Sequence, residues 1–336
     1  MTAVNDTGAS AAPIRIAFAT DKDYVHHTAT ALRSILAHNR GPIEATVLYS
    51  DLDAGQLEDL RASCPAPDIA FHFVAIDPGR LSDLPLLRNH RSHASYFRLL
   101  LPDVMPQEAD KVLYLDSDIV CRGDLRPLWE TDISLVAAAC VREPLMRAQS
   151  KRSLWRKLLP SREQTAGLHR AEYFNSGVLL INLARWRENK VTQRALSWRR
   201  DNAHRTALHD QDALNAVLEG NWLQLSARWN FGPWFPRMTH YCFAANRERL
   251  NPVLVHLSSG TGPGVYRRLA RRHFAATAWG RAGLHRTRKS LPARIREHAS
   301  FELAILRGMC LAFRYGPATE FGRPAPARLP TPVAAD

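Results

Sequence analysis

The sequence predicts an α/β fold built on a largely parallel sheet. Three observations carry the prediction. Apolar strand-like runs alternate with helical periodicity over the first half of the chain, as in βαβ units. With 336 residues and 46 % hydrophobic residues, there is ample chain for a large core. The run "KVLYLDSDIV" (Lys111 to Val120) ends in two aspartates, Asp116 and Asp118, at the carboxyl end of a strand, where α/β sheets bind ligands.

"IRIAFAT" (Ile14 to Thr20) reads as the first strand. A helix is expected around His27 to His38, with Ala31, Leu32, Ile35 and Leu36 on one face. "IEATVLYS" (Ile43 to Ser50) is the second strand, "LDAGQLEDLRASC" a helix, and "IAFHFVAID" (Ile69 to Asp77) the third strand. A helix around Tyr96 to Leu101 precedes the strand that ends at Asp116, and another strand is expected around Leu135 to Cys140. "SGVLLINL" (Ser176 to Leu183) is again strand-like, followed by helices near Val191 to Arg200 and Asp210 to Leu218. "PVLVHLSSG" is the last clear strand; beyond Tyr266 the chain is basic and helical. The division expected is a tail over 1–13, a catalytic domain over 14–265, a basic helical region over 266–316 and a Pro/Ala-rich tail over 317–336.

Charge is unevenly placed. The net +13 is concentrated in Arg142 to Arg170, at +6, and Arg267 to Asp336, at +10. Such clustering reads as attraction to an anionic partner, or as a solvated surface. The apolar stretch "ASFELAILRGMCLAFRYG" is interrupted by Glu302, Arg307 and Arg314. It reads equally as a helix packed on the domain or as an interfacial helix on an anionic membrane surface. Nucleic acid is not the expected partner, because basic–aromatic interleaving is missing and the paired aspartates would have no role. Five scattered cysteines without a C-x-x-C pair read as reduced thiols, and no run of 18 apolar residues or signal sequence occurs. The expectation is a cytoplasmic protein, with peripheral attachment at the inner membrane face if the basic helix docks on lipid.

Two carboxylates spaced i, i+2 at a strand end can share one divalent cation if the chain turns there. Alone, the pattern also fits a solvated turn. It further fits the haloacid dehalogenase phosphatase pattern, with Asp116 as nucleophile and Asp118 as acid/base. That pattern belongs on a first strand, and here three strand–helix units precede it.

Several stretches in order point elsewhere: "FATDKDY", "SYFRLLLPD", "KVLYLDSDIVCRGDLRPLW", "YFNSGVLLINLARWR", "HDQDALN", "RWN" and "VLVHLSSGTGP". Together they resemble glycosyltransferase family 8, retaining enzymes of the GT-A fold that include bacterial lipopolysaccharide galactosyl- and glucosyltransferases. The resemblance runs from Ile14 to about Pro263. It implies a Rossmann-like nucleotide-sugar-binding domain with a mixed central sheet and a basic helical extension. It also implies transfer of glucose or galactose from a UDP-sugar to a glycan or lipid-linked glycan acceptor, with Mn²⁺ or Mg²⁺ as cofactor.

By that resemblance Asp116, Asp118 and His256 hold the metal. Ala19, Thr20, Asp21, Asp23 and Tyr24 form the uridine pocket, with Tyr24 offering a ring face. Asp21 or Asp23 would at the same time cap the following helix. Arg98 is implied near the donor phosphates, a role suited to a planar guanidinium. Ser117, Asp212 and Gly262 are implied on the donor side. Asn175 and Asp210 would hold sugar hydroxyls, and Gln211 would lie nearest the reacting carbon. A neutral amide oxygen is a weak nucleophile, which favours front-face attack, with the leaving phosphate taking the acceptor proton and Gln211 as stabiliser.

Two departures stand out. Relatives carry a phosphate-binding Lys where Gly262 stands, within "GTGPG"; loop N–H groups, Arg267 or Arg268 are the expected substitutes, and an inactive donor-binding relative is the alternative. Arg142 occupies a place where galactosyltransferase-like members carry Asp, and the basic segment after it corresponds to a donor-site lid.

Overall fold

The structure is a computed structural model that describes residues 12–84, 92–143, 173–203, 208–232, 251–257 and 264–281. The tail over 1–11, the basic segment after Glu143, Gly262 with most of its loop, and the chain beyond Arg281 lie outside the described residues.

The first half is the expected alternation: β1 (Ile14–Thr20), α1 (Val25–Leu36), β2 (Ile43–Tyr49), α2 (Ala54–Ser63) and β3 (Ile69–Ala75). A capping box between Asp53 and Gln56 starts α2, satisfying two of its orphan donors. The helix expected around Tyr96 to Leu101 is a 3-10 helix over Ala94–Leu100, followed by the single-turn α3 (Leu101–Val104). Pro102 has no N–H to donate back to Arg98, so an α ladder cannot run through this point.

Next come β4 (Lys111–Leu115), the short β5 (Ile119–Cys121), α4 (Arg126–Trp129), β6 (Ala138–Arg142) and β7 (Phe174–Asn182). The strand expected from Leu135 starts three residues later, because Val136 turns back to the Ile133 carbonyl and Leu135 is exposed. Then follow α5 (Leu183–Glu188), α6 (Val191–Asp201), α7 (His209–Val217), β8 (Trp222–Gln224), β9 (Leu254–His256), α8 (Gly264–Ala275) and α9 (Ala278–Arg281).

The main sheet has the order β3-β2-β1-β4-β7-β6-β8. Among the described strands of this sheet only β7 runs against the rest, so the sheet is mixed yet largely parallel. From β1 the chain winds outward to β2 and β3, then returns to β4 on β1's other side. That reversal opens a crevice beyond the carboxyl ends of β1 and β4, the switch point at which open α/β sheets bind ligands.

Both faces of the sheet are covered. In β1, Ile14, Ile16 and Phe18 enter one core, while Ala17 enters the other. In β4, Leu113 and Leu115 face the first core, and Val112 and Tyr114 the second. Two-sided burial explains why "KVLYL" is an unbroken apolar run after its Lys. The described cysteines, Cys64, Cys121 and Cys140, are buried and free; burial pushes the Cys64 thiol up to about 12 and Cys121 up to about 11. They are inert packing groups. Among the described residues no helix is long and apolar enough to cross a membrane.

Candidate active site

The crevice contains a cavity of about 290 Å³. Its walls come from the end of β1, the 3-10 turn that follows Ser92, the end of β4, and His256. The antiparallel direction of β7 matters here. It pairs Leu115 with Val178, so the start of β7, with Asn175, Ser176 and Gly177, lies beside the end of β4. A second, two-stranded ribbon pairs Ile119 of β5 with His256 of β9, and the Leu257 N–H donates to the Asp118 carbonyl at 2.9 Å. Asp116, Asp118 and His256, far apart in sequence, therefore meet at one point.

Their ligand atoms all lie within 4.8 Å of one another. His256 Nε2 is 3.1 Å from Asp118 Oδ1 and 3.6 Å from Asp116 Oδ2. Neighbouring ligands of a small octahedral cation are about 3 Å apart, given bonds of about 2.1 Å. Two hard carboxylates and one imidazole fit Mn²⁺ or Mg²⁺ in charge, spacing and donor type. Burial alone would lower the His256 pKa, but Asp118 and then Asp116 outweigh it and hold it up at about 9.

Gly177 closes the floor beneath this triad. A Cβ there would sit 2.4 Å from His256 Cε1 and 2.8 Å from Asp116 Oδ2. No side chain fits, which is the reason for glycine at this point of an otherwise apolar strand.

Arg98 is the electrostatic centre. Its buried guanidinium bonds Asp116 Oδ1 at 2.8 Å and Asp210 Oδ2 at 3.1 Å, and donates to the Ser176 carbonyl at 2.7 Å. It lies over the Tyr114 ring, 4.6 Å from the centroid, and the Tyr114 hydroxyl donates to the same Asp116 oxygen at 2.8 Å. Asp116 Oδ1 is thus held by two donors while Oδ2 faces His256. Burial pushes the Asp210 carboxyl up to about 6, against the pull of Arg98.

The residues expected around the donor divide into two groups. Ala19, Thr20, Asp21, Tyr24, Arg98 and Ser117 line the cavity with Asp116, Asp118 and His256. Tyr24 is 42 % exposed, with its ring available to a flat ligand. Asp21 Oδ1 accepts the N–H groups of Asp23 and Tyr24, each at 3.0 Å, so it organises the start of α1 as well. Asp23 is exposed and outside the cavity lining. Ser117 Oγ is 2.8 Å from Thr28 Oγ1 and donates to the Ala19 carbonyl at 3.1 Å, tying β1 to the turn between the aspartates.

Asn175, Asp210, Gln211 and Asp212 form a second layer beside the cavity, on β7 and α7. Gln211 Oε1 accepts the Ser176 N–H at 3.0 Å, and Asp210 Oδ2 accepts the Ser176 hydroxyl at 3.2 Å. Asp212 is fully buried; it accepts from the Tyr173 hydroxyl and, at 2.8 Å, from the Leu208 N–H. His209, just before them, has φ of +48°, a left-handed conformation rare for a non-glycine residue.

Residues 15–261 match the family model described as glycosyl transferase family 8. The chain belongs to glycosyltransferase family 8. Within the family, General stress protein A of Bacillus subtilis (strain 168) is 26 % identical over 263 residues, 74 % of this chain and 87 % of that protein. Lipopolysaccharide glucosyltransferase WaaO of Escherichia coli (strain K12) is 31 % identical over 220 residues, 64 % of this chain. The chain spans 62 % of WaaO, less than two thirds of its length. The galactosyltransferase LgtC, solved in complex with donor and acceptor sugar analogues, matches with a TM-score of 0.63 and 25 % identity, covering 84 % of this chain and 100 % of LgtC. Family membership and the position of the aspartates on the fourth strand remove the haloacid dehalogenase alternative.

Sequence reasoning passed over Tyr114, Ser92, Ser95, Glu143 and Asn230 as site residues. Tyr114 read as strand core, and its ring is; its hydroxyl nevertheless bonds Asp116. Ser92 and Ser95 line the cavity, and Ser92 bonds Asp21 Oδ2, but two serines in a loop carry no signal in a single sequence. Asn230 was within reach, since "RWN" was already one of the stretches that carried the family resemblance.

Proposed function

We propose that this family 8 glycosyltransferase moves glucose or galactose from a UDP-sugar to a glycan acceptor, with retention of configuration and with Mn²⁺, or Mg²⁺ in its place. The single observation that carries this reading is the Asp116–Asp118–His256 triad lining the switch-point cavity. When bound, the cation neutralises the diphosphate and assists its departure as a Lewis acid. The nucleoside lies against Tyr24, with Asp21, Ala19 and Thr20 as polar and backbone contacts. Asp23 approaches only from outside. Arg98 fixes the orientation of Asp116, and through Asp210 it joins the metal side to the sugar side. Asp210, Gln211 and Asn175 present the sugar-side groups, with Asp212 buried behind them against Tyr173, and Gln211 supplies carbonyl oxygen to the developing positive charge. Gly262 and its loop take the place of the usual Lys at the diphosphate. The chemistry printed in the names of LgtC and WaaO supports a hexose donor and a lipopolysaccharide-type acceptor. We retain 14–265 as the catalytic unit, 266–316 as the basic helical region, which would reach an anionic membrane surface from the cytoplasmic side, and 1–13 and 317–336 as tails.

The test is UDP release over a panel of UDP-sugars with Mn²⁺, with EDTA and with Asp118→Ala. The expected result is release from one donor, lost with chelator and reduced at least about 100-fold in the variant, as removal of a metal ligand implies. Release that is indifferent to chelator and variant would overturn the metal assignment.

A pH dependence follows from His256. In the metal-free protein its pKa is about 9, so at pH 7 the ring holds a proton that ligation must expel. Metal affinity is therefore expected to rise by about tenfold per pH unit from 7 towards 9 and to level off above it, because one proton leaves per ion bound. Calorimetry at pH 7 in two buffers of different ionisation enthalpy should report about one proton released per Mn²⁺.

A further inference from the structure

Behind His256 lies a chain of polar groups whose direction can be worked out from one backbone N–H. The Gly177 N–H donates to the Asn175 side chain at 2.9 Å. A backbone N–H has only an acceptor as partner, so the amide atom facing it is Oδ1. The other end of the Asn175 amide, Nδ2, then meets Glu143 Oε2 at 2.9 Å, an acceptor, which agrees. The Asn230 amide approaches Asn175 Oδ1 at 2.8 Å and must do so with its NH₂. That leaves Asn230 Oδ1 facing His256 Nδ1 at 3.1 Å. An amide oxygen cannot donate, so Nδ1 keeps its proton, and Nε2, beside Asp118 Oδ1 at 3.1 Å, is the nitrogen that gives up its proton and offers a lone pair when a cation binds.

We infer that Asn175 and Asn230 form a relay that fixes His256 in its Nδ1–H tautomer, so that Nε2 faces the divalent cation shared with Asp116 and Asp118. Asn230 is a positioning residue, and Asn175 is one in addition to any contact it makes with the donor through its remaining N–H. The inference rests on the metal reading above.

The geometry supports more than orientation. The four hydrogen bonds join residues from four separate segments: the start of β7, the residue after β6, the residue after the 3-10 turn over Ala227–Trp229, and β9. Three of them run the same way, from His256 through Asn230 and Asn175 to the Glu143 carboxylate. A chain of donors ending on a carboxylate polarises each bond towards it and makes the far imidazole nitrogen more basic. Asn230 is 3 % exposed and His256 8 %, so bulk water does not compete for the bond between them. A rotated Asn230 amide would set its oxygen against Asn175 Oδ1, two acceptors with no proton between them. The relay therefore has one self-consistent arrangement.

The experiment replaces Mn²⁺ with ¹¹³Cd²⁺ in the full chain with UDP and histidine ¹⁵N labelling. Cadmium coupling to Nε2 of His256, with the proton on Nδ1, is the expected result; coupling to Nδ1 would overturn the inference. This reading on the unaltered protein needs no variant to fold. Alongside it, Mn²⁺ affinity is measured by the electron paramagnetic resonance of free ion, at saturating UDP, for Asn230→Ala and His256→Ala. Asn230→Ala is expected to bind Mn²⁺ about 10–100-fold more weakly, the usual effect of removing a group that orients a ligating histidine. Wild-type affinity in Asn230→Ala, with binding lost in His256→Ala, would sink the relay and leave the metal site standing. Wild-type affinity in His256→Ala would instead remove the metal reading beneath it.

Discussion

Gly177→Ala is expected to abolish metal-dependent transfer in a protein that still folds. The added methyl would lie 2.4 Å from one ring atom of His256, 2.7 Å from Nδ1 and 2.8 Å from an Asp116 oxygen. None of these is the loose end of a flexible chain. His256 is held by the β5–β9 ribbon and by Asn230, and Asp116 by Arg98 and Tyr114. The ring must move out of the triad, which should lower UDP release at least about 100-fold, as displaced ligands do. Overpacking of this kind costs about 1–3 kcal/mol. Thermal melting should fall by a few degrees for each kcal/mol in a domain of this size. Gly123→Ala is the comparison: its Cβ would meet Val253 at 3.4 Å, an ordinary contact, and should leave both readouts near wild type. A Gly177→Ala enzyme with wild-type turnover would show that the triad does not hold the cation as described.

Arg98→Ala is expected to have the larger effect on stability. The guanidinium is buried and bonds two carboxylates, Asp116 and Asp210; without it Asp116 is left with His256 beside it and Asp210 loses the cation it is paired with. Removing one member of a buried ion pair costs about 3–5 kcal/mol, because the remaining charge stays out of water. Arg98→Lys should recover only part of this, since a single ammonium cannot fork between two carboxylates and the Ser176 carbonyl. The sign with pH is fixed by Asp210. Its folded pKa, already raised to about 6 by burial, rises further without Arg98. A group held above its unfolded pKa contributes stability that is present at low pH and lost as pH rises through the folded value. The Arg98→Ala deficit should therefore be smaller at pH 5 than at pH 7. Urea unfolding at the two pH values measures it; a deficit independent of pH would mean that Asp210 stays ionised throughout.

Much of this site was legible because its residues sit at strand ends in short, dense stretches. Asp116 and Asp118 were readable because two carboxylates interrupt a run buried on both faces. The family resemblance then placed His256, which no local pattern could do, since its contact with Asp118 depends on a three-residue ribbon. Strands as short as β5 and β8 show no periodicity. Arg98 was found, but its partners were not: an arginine on a predicted helix says nothing of the aspartates that fold over it. The helix expected around Tyr96 to Leu101 is there, but its 3-10 winding over Ala94–Leu100 was not legible, because the apolar pattern does not distinguish the two helix types over so short a run. The Asn175–Asn230 relay lies furthest from the sequence. Its members come from segments that meet only in the folded sheet, and the direction of its bonds is a property of the assembled network.

The β5–β9 ribbon also sets when this protein becomes competent during its own synthesis. Asp118 is made early, whereas His256 comes from near the end of the family-matched region. At about 5–20 residues per second, the interval is roughly 7–28 seconds. Through that time the nascent chain first lacks β7, the partner of β4, and then lacks His256 and the strand that carries it. On the proposed reading, the growing polypeptide would complete its cation site only once β9 is made and paired with β5.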